Sequence, residues 1–256
     1  HGAGGGYDQG RLLPQAFGGN GYQWISVSRF GYLRSPMPTE ASTGAQAEAF
    51  VDLLDALKID RVAILAMSGG VPPSLQFAQR FPDRTVAIAL LSSAPFTPLT
   101  AQQQDLPIPA WLYQVLFSSD FGFWAITKLL PTRLDTVFDV SPVARAGLTD
   151  RENTFVSGLV AAFLPVTDRT AGLRNEGAAV DPDTHYDLAQ IKTPTLVIHA
   201  RDDGINPFAF GEYAAKNIPG AEFMIVEDGG HILLGHFDEI QERVTAFFDA
   251  YAASPP

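Results

Sequence analysis

The sequence contains no cysteine among its 256 residues. This absence excludes a disulfide-stabilised scaffold, a zinc site built on thiolates and a cysteine nucleophile. Basic residues are also scarce, because 17 Lys and Arg stand against 28 Asp and Glu and leave a net charge of −11. An acidic protein repels a phosphate backbone, so nucleic acid is not an expected partner.

Long apolar runs are missing as well. The longest uncharged stretch, Thr85 to Gln104, is interrupted by Pro95 and Pro98, so no membrane span is predicted. No targeting segment is recognisable, and the compartment stays open with the cytoplasm slightly favoured. Hydrophobic residues make up 46% of the chain and charged residues 18%, which predicts a soluble protein with a large core and excludes intrinsic disorder.

Strand and helix patterns alternate in the first and last parts of the chain. Short apolar runs bounded by turn residues predict buried strands at Trp24–Ser28, Arg61–Ala66, Thr85–Leu91, Thr195–Ala200 and Ala221–Val226. Apolar residues at helical spacing predict helices behind a capping-box spacing at Thr43 and Gln46, from Pro72 to Phe81, and over Asp238–Tyr251. This alternation is typical of an α/β fold with a mostly parallel central sheet and helices on both faces.

The rhythm changes between residues 96 and 190. Helical patterns follow one another there without a clear strand, at Trp111–Leu116, Phe121–Leu130 and Asn153–Phe163. We therefore predict an inserted helical subdomain at 96–190, between two parts of one α/β core at 1–95 and 191–256.

The most informative motif is Ala66-Met67-Ser68-Gly69-Gly70, directly after a predicted buried strand and before a predicted helix. A serine between small residues suits the sharp strand-to-helix turn that presents a nucleophile at the top of a sheet. Ala66 stands where glycine is usual, and a Ser-Gly-Gly sequence can also be a simple loop.

Candidate acid and base residues follow two later strands. Asp202 and Asp203 come after the strand Thr195–Ala200, and His231 comes after the strand Ala221–Val226. Because the carboxyl ends of parallel strands meet at one edge of a sheet, these side chains are expected near Ser68. Histidine can take the serine proton, and either aspartate can orient the imidazole and offset its charge.

With these motifs, the chain resembles the capped form of the α/β-hydrolase superfamily along essentially its whole length. The matching stretches are His1–Gly5, Ser28–Tyr32, the serine turn, Val197–Asp203 and Gly229–His236. The resemblance implies that residues 96–190 form a helical cap over the active site. It also implies the roles of the triad: Ser68 as nucleophile, His231 as base, and Asp203 rather than Asp202 as acid.

The glycine-rich run His1–Gly6, called the oxyanion loop below, resembles the loop that donates a backbone N–H in that family. The resemblance assigns the two donors to Ala3 and Gly69. A phosphate-binding glycine loop is the competing interpretation, but no Lys-Ser or Lys-Thr follows the run.

The function that the resemblance implies is hydrolysis of a carboxylic ester or related small acyl substrate through an acyl-enzyme, without metal or cofactor. C–C bond hydrolysis, lactone opening or perhydrolysis on the same triad stay open, as does a non-catalytic small-molecule receptor. Candidate substrate-binding residues are Met67, Trp111, Phe117, Phe121, Trp124 and Ile232, although the aromatic residues are expected first to form a small helical core. His199 and His236 are expected to pack and hydrogen-bond rather than to bind metal.

In the family that the chain resembles, the oxyanion loop is reached from a strand lying between Trp24–Ser28 and Arg61–Ala66. The sequence supplies no such strand before His1. We therefore expect an upstream segment of roughly 20 to 50 residues, or a separate strand-donating segment, to complete the central sheet.

Overall fold

The computed structural model describes residues 1–93, 118–129, 138–179 and 186–252. The strands are β1 (Val62–Met67), β2 (Thr85–Leu91), β3 (Thr195–Ala200) and β4 (Glu222–Val226). The helices before β2 are α1 (Tyr7–Gly10), α2 (Leu12–Phe17), α3 (Thr43–Leu57) and α4 (Val71–Arg80). Those between β2 and β3 are α5 (Asp120–Leu129), α6 (Pro142–Gly147), α7 (Asp150–Ala161) and α8 (Thr170–Ala179). The last two helices are α9 (Phe208–Asn217) and α10 (Phe237–Ala252).

The four strands form one parallel sheet in the order β1-β2-β3-β4. Near their carboxyl ends, Met67 of β1 pairs with Leu91 of β2, which in turn pairs with Ile198 of β3. The predicted parallel sheet and four of its five strands are thus confirmed. Its register brings the loops after β1, β3 and β4 to the same edge.

Helices cover both faces of this sheet, as predicted. Alternate residues of β2 point to opposite sides, as the period of a strand requires. Ala87, Ala89 and Leu91 join the core cluster that contains α10 through Val244 and Phe247. Ile88 and Leu90 join a second cluster with residues of α4 and α9.

The prediction of a strand at Trp24–Ser28 is wrong for the described chain. The segment has no regular secondary structure, because no described strand lies beside it to form a ladder of hydrogen bonds. A cavity of about 200 Å³ separates it from β1, lined by residues of both segments such as Ile25, Val27, Ala63 and Leu65.

The predicted capping box at Thr43 and Gln46 is also wrong, by one residue. Ser42 caps α3 by accepting a hydrogen bond from Ala45 N at 3.1 Å. Gln46 is buried and its side chain accepts instead from Phe30 N at 2.7 Å. The Gln46 side chain, which the local spacing assigned to the cap of α3, therefore binds Phe30 in a tertiary contact instead.

The described residues of the stretch 96–190 contain the helices α5 to α8, joined by turns and irregular segments, and no strand. The patterns predicted at Phe121–Leu130 and Asn153–Phe163 correspond to α5 and α7. The pattern at Trp111–Leu116 lies outside the described residues, as do Trp111 and Phe117. None of the described helices is long and apolar enough to span a membrane.

Candidate active site

Ser68 lies at the turn between β1 and α4. It follows Met67, the last residue of β1, and begins a short 3-10 turn that ends at Gly70. Its φ of 52° lies in the left-handed region, which is costly for a residue with a side chain and is found where a fold holds a functional group in place. The backbone of Ser68 therefore has the strained conformation expected of a nucleophile on a strand-to-helix turn.

The oxyanion loop lies directly beside this turn. A Cβ atom added to Gly2 would lie 3.3 Å from Ser68 Cβ, and one added to Gly69 would lie 3.1 Å from Ala3 N. The structure thus brings Ala3, Gly69 and Ser68 together, although they are far apart in the sequence. Close approach of two backbones explains the small residues on both sides.

His231 and Asp203 are joined by a buried hydrogen bond. His231 Nδ1 lies 3.1 Å from Asp203 Oδ1 and 3.0 Å from Oδ2, and both residues are 7% exposed. The carboxylate favours the tautomer with hydrogen on Nδ1, which leaves Nε2 able to accept a proton. Asp203 follows β3 and His231 follows β4, as the sequence predicted.

Asp203 is placed to stay ionised. Burial alone would raise the pKa of this carboxyl, but the charge of His231 and hydrogen bonds from His199, His231 and Asn206 hold the pKa well below its usual range. Asp202, the alternative acid, instead accepts hydrogen bonds from Gly229 N at 3.3 Å and Gly230 N at 2.9 Å. The structure therefore joins Asp203, and not Asp202, to the imidazole.

Ser68 and His231 are not hydrogen-bonded to each other in the described chain. The Ser68 hydroxyl lies 3.4 Å from Asn206 Nδ2, and the same amide donates to Ser92 O at 2.9 Å. The backbone N–H of Asn206 donates to Asp203 Oδ1 at 2.8 Å. Asn206 thus links the serine turn to the loop that carries Asp203, a role that the sequence did not reveal.

Two further residues that sequence reasoning did not place at the site contact its loops. His199 Nε2 lies 3.3 Å from Asp203 Oδ2 and donates to Asn206 O at 2.9 Å, so the expected core histidine also touches the carboxylate. Asp139 Oδ2 accepts from Gly204 N at 2.7 Å and from His231 N at 3.1 Å. No local pattern marked Asp139, because its contacts lie more than sixty residues away in sequence.

The described substrate-binding candidates fall into two groups. Met67 and Ile232 are buried in the main core cluster, next in sequence to Ser68 and His231 respectively. Phe121 and Trp124 lie on α5 with their ring centres 5.8 Å apart, and both are exposed. His236 bonds Asp228 Oδ1 at 2.7 Å near the start of α10. No cluster of three or more metal-binding side chains occurs in residues 1–93, 118–129, 138–179 and 186–252.

Comparison with known proteins finds relatives that are named as hydrolases. The protein is 25% identical over 227 residues to the uncharacterized hydrolase YcgS of Bacillus subtilis, covering 83% of this chain and 76% of that one. It is 26% identical over 235 residues to a 2-hydroxy-6-oxononadienedioate/2-hydroxy-6-oxononatrienedioate hydrolase of Burkholderia vietnamiensis, covering 84% of this chain and 72% of that one.

Solved structures show the same fold. An alpha/beta hydrolase fold protein from Nakamurella multipartita superposes with a TM-score of 0.85 at 24% identity, covering 98% of this chain and 90% of that chain. The model of the alpha/beta hydrolase family matches residues 1–247. The chain therefore belongs to the alpha/beta hydrolase family.

Proposed function

We propose that this protein is a serine hydrolase that cleaves a carboxylic ester or related small acyl substrate through an acyl-enzyme. The observation that carries the proposal is the buried hydrogen bond between His231 and Asp203, which Asn206 connects to a serine held at a φ of 52°. A carboxylate-bound imidazole next to a strained serine is the arrangement that activates a hydroxyl for attack on a carbonyl.

In the proposed reaction, Ser68 Oγ attacks the substrate carbonyl while His231 Nε2 takes the hydroxyl proton. The N–H groups of Ala3 and Gly69 stabilise the oxyanion that forms. His231 then gives its proton to the leaving alcohol, and the acyl group stays on Ser68. Water, activated by the same imidazole, attacks the acyl-enzyme and releases the carboxylic acid.

The first step requires the Ser68 hydroxyl to turn from Asn206 towards His231. Such hydrogen bonds are often long or absent without substrate and shorten when it binds. Asp203, ionised through the whole working range of pH, offsets the charge of the imidazolium that appears in each half-reaction.

A serine-directed fluorophosphonate tests this function. We expect mass spectrometry to find one adduct, on Ser68, and a short p-nitrophenyl ester to be turned over many times. Labelling of another residue would contradict the assignment. Stoichiometric release of one p-nitrophenol without further turnover would favour a small-molecule receptor on the same fold.

C–C bond hydrolysis is the second candidate, and one comparison favours it specifically. The Burkholderia vietnamiensis relative covers 84% of this chain and is named as a hydrolase of 2-hydroxy-6-oxo dienedioates. Parallel assays of a p-nitrophenyl ester, a lactone and a 2-hydroxy-6-oxodienoate separate the chemistries. A kcat/KM more than about a hundredfold higher for the dienoate would replace the ester assignment.

The cap and the pocket belong to the same proposal. We propose that residues 96–190 cover the site and that Met67, Ile232, Phe121 and Trp124 contribute to the acyl-binding wall, with Trp111 and Phe117 of the same stretch. Crosslinking from a fluorophosphonate that carries a photoreactive acyl mimic tests this wall, and adducts confined to other segments would contradict it.

A strand that completes the sheet is also proposed. The cavity between Trp24–Ser28 and β1 is lined mostly by apolar residues, and β1 pairs with β2 on one edge only among the described strands. A strand in this cavity would supply the partners that both segments lack. If residues 1–256 expressed alone gave a cooperative, active monomer, this proposal would be wrong.

A further inference from the structure

A cluster of buried polar side chains lies against the oxyanion loop. Arg29 is 7% exposed and Tyr32 is fully buried. Glu176 reaches the same place from α8 and forms an ion pair with Arg29. Buried charged groups are retained in proteins only where partners offset the cost of removing them from water, so the contacts of this cluster define its role.

Arg29 is bound to the backbone of the oxyanion loop. Its Nη2 donates to His1 O at 3.2 Å and to Gly2 O at 3.3 Å. The Gly2 carbonyl belongs to the same peptide group as the N–H of Ala3, the first proposed oxyanion donor. Because a peptide group is planar, a donor that fixes the Gly2 carbonyl also fixes the direction of the Ala3 N–H.

The His1 ring strengthens the same arrangement. Its Nε2 accepts from Arg29 N at 3.1 Å, which places the ring hydrogen on Nδ1, and Nδ1 then donates to Gly2 O at 2.8 Å. The Gly2 carbonyl therefore accepts hydrogen bonds from a guanidinium and an imidazole. Hydrogen bonds to a carbonyl polarise the peptide group and make its N–H a stronger donor.

Tyr32 and Glu176 make the remaining contacts of this cluster, with the oxyanion loop and with the serine turn. Gly4 N donates to the Tyr32 hydroxyl at 3.2 Å, and the Arg29 guanidinium lies over the Tyr32 ring, 5.4 Å from its centre. A Cβ atom added to Gly69 would lie 3.1 Å from Glu176 Oε2, so the carboxylate also lies close to the backbone of Gly69. Burial raises the pKa of the Glu176 carboxyl, while the charge of Arg29 opposes the rise.

We propose that Arg29 is a positioning residue that orients and polarises the Gly2–Ala3 peptide for the oxyanion, and that Glu176 holds the guanidinium in place. The ion pair also leaves the neighbourhood of the developing oxyanion without a net negative charge, since the guanidinium balances the carboxylate. This inference rests on the proposed function, because it assigns Arg29 a role in the same reaction.

The matched control is Arg84. Its guanidinium also donates to two successive carbonyls, Asp60 O at 2.6 Å and Ile59 O at 2.9 Å, and it pairs with Asp55 at 2.7 Å. It lies between the start of β1 and the start of β2, away from Ser68. Arg84→Met therefore removes the same kinds of contact without touching the oxyanion loop.

The test compares Arg29→Met and Arg84→Met in the full chain. For Arg29→Met we expect kcat for a p-nitrophenyl ester and the rate constant for fluorophosphonate labelling of Ser68 to fall by about 30-fold, with KM changed less than about threefold. A trifluoromethyl ketone, which places an oxyanion in the same site, should lose affinity by the same factor as kcat. Arg84→Met should keep kcat within about twofold whatever its melting temperature.

Two milder variants serve if Arg29→Met does not fold. Arg29→Lys keeps the charge and one donor group, and Glu176→Gln keeps an acceptor for the guanidinium, so both should lose kcat by smaller factors in the same assays. Unchanged kcat in both folded variants would overturn the proposal, and so would equal losses in Arg29→Met and Arg84→Met. If wild-type Ser68 is not labelled at all, the proposed function fails; if it is labelled and Arg29→Met reacts at the wild-type rate, only this inference fails.

Discussion

Asp139 holds the backbone of His231: its Oδ2 accepts the His231 N–H at 3.1 Å. The same oxygen accepts the N–H of Gly204 at 2.7 Å, so one carboxylate joins the loop after β3 to the loop after β4. Gly230 has a φ of 61°, and a Cβ atom there would lie 2.8 Å from Asp139 O. Asp203 and His231 stand on the two loops that Asp139 joins.

Asp139→Ala should therefore lower kcat by about tenfold, because neither loop keeps its shared acceptor. Asp139→Asn retains an acceptor oxygen and should recover kcat to within about threefold of the wild type. The control is Asp120→Ala, since Asp120 also accepts a backbone N–H, that of Thr167 at 3.0 Å. Steady-state kinetics with a p-nitrophenyl ester measures all three, and an equal loss in the Asn variant would contradict the shared-acceptor role.

Ser68→Ala should abolish turnover, with kcat reduced by about four to six orders of magnitude. The β1-to-α4 turn keeps its conformation, since alanine is smaller than serine and faces the same space beside Gly2. Circular dichroism and thermal unfolding should thus match the wild type. A variant that kept more than about a tenth of the esterase rate would rule out Ser68 as the nucleophile.

Asp203→Asn and Asp202→Asn should differ strongly, although the residues are neighbours. Asparagine at 203 favours the wrong imidazole tautomer and should lower kcat by about 10⁴-fold. Asparagine at 202 keeps an oxygen for the N–H groups of Gly229 and Gly230, so kcat should fall by less than about tenfold. A larger loss of kcat in Asp202→Asn than in Asp203→Asn would instead identify Asp202 as the acid of the triad.

The acid stability of the protein should depend on Asp203. The pKa of its carboxyl is lower in the folded protein than the value of about 3.9 typical of an unfolded chain. Unfolding therefore takes up a proton in this range, and the stabilisation by Asp203 is complete above about pH 5 and lost as pH falls towards the folded value. Urea midpoints measured from pH 6 to pH 3 should fall less steeply for Asp203→Asn than for the wild type; parallel curves would contradict this linkage.

Most of the fold followed from local patterns in the sequence. β2 and β3 are apolar runs with the predicted ends, and α10 buries Ile240, Val244 and Phe247 on the face that the helical period indicated. These elements are encoded locally because burial dictates their residue pattern directly. Trp24–Ser28 has the same apolar character, but a strand also requires a neighbour, which a local pattern does not supply.

The residues of the candidate site also fall into those that local sequence patterns predict and those that they do not. Ser68, Asp203 and His231 could be predicted as candidates because each follows a recognisable strand, and parallel strands place their carboxyl ends together. Asn206, Asp139 and Glu176 could not, because each is connected to the candidate site only by contacts that form in the folded chain. Asp139, for example, is 92 residues from the His231 N–H to which it binds.

At Gly211, helix propensity and a tertiary contact with His199 predict opposite effects of alanine on the stability of the protein. It lies within α9, where alanine is normally more stable than glycine by about 1 kcal/mol. Here an added Cβ would lie 2.5 Å from His199 Nδ1 and 2.7 Å from His199 Cβ, and His199 is fully buried against Asp203. Overpacking of this kind costs about 1 to 3 kcal/mol, so Gly211→Ala should lower the free energy of unfolding. It should also lower kcat, because His199 would be displaced towards the Asp203 carboxylate.

Gly147→Ala is the control, since nothing lies within 4 Å of its added Cβ and its stability should stay equal or rise slightly. Urea unfolding and ester kinetics on both variants measure the difference, and a Gly211→Ala protein as stable and active as the wild type would show that His199 has room to move.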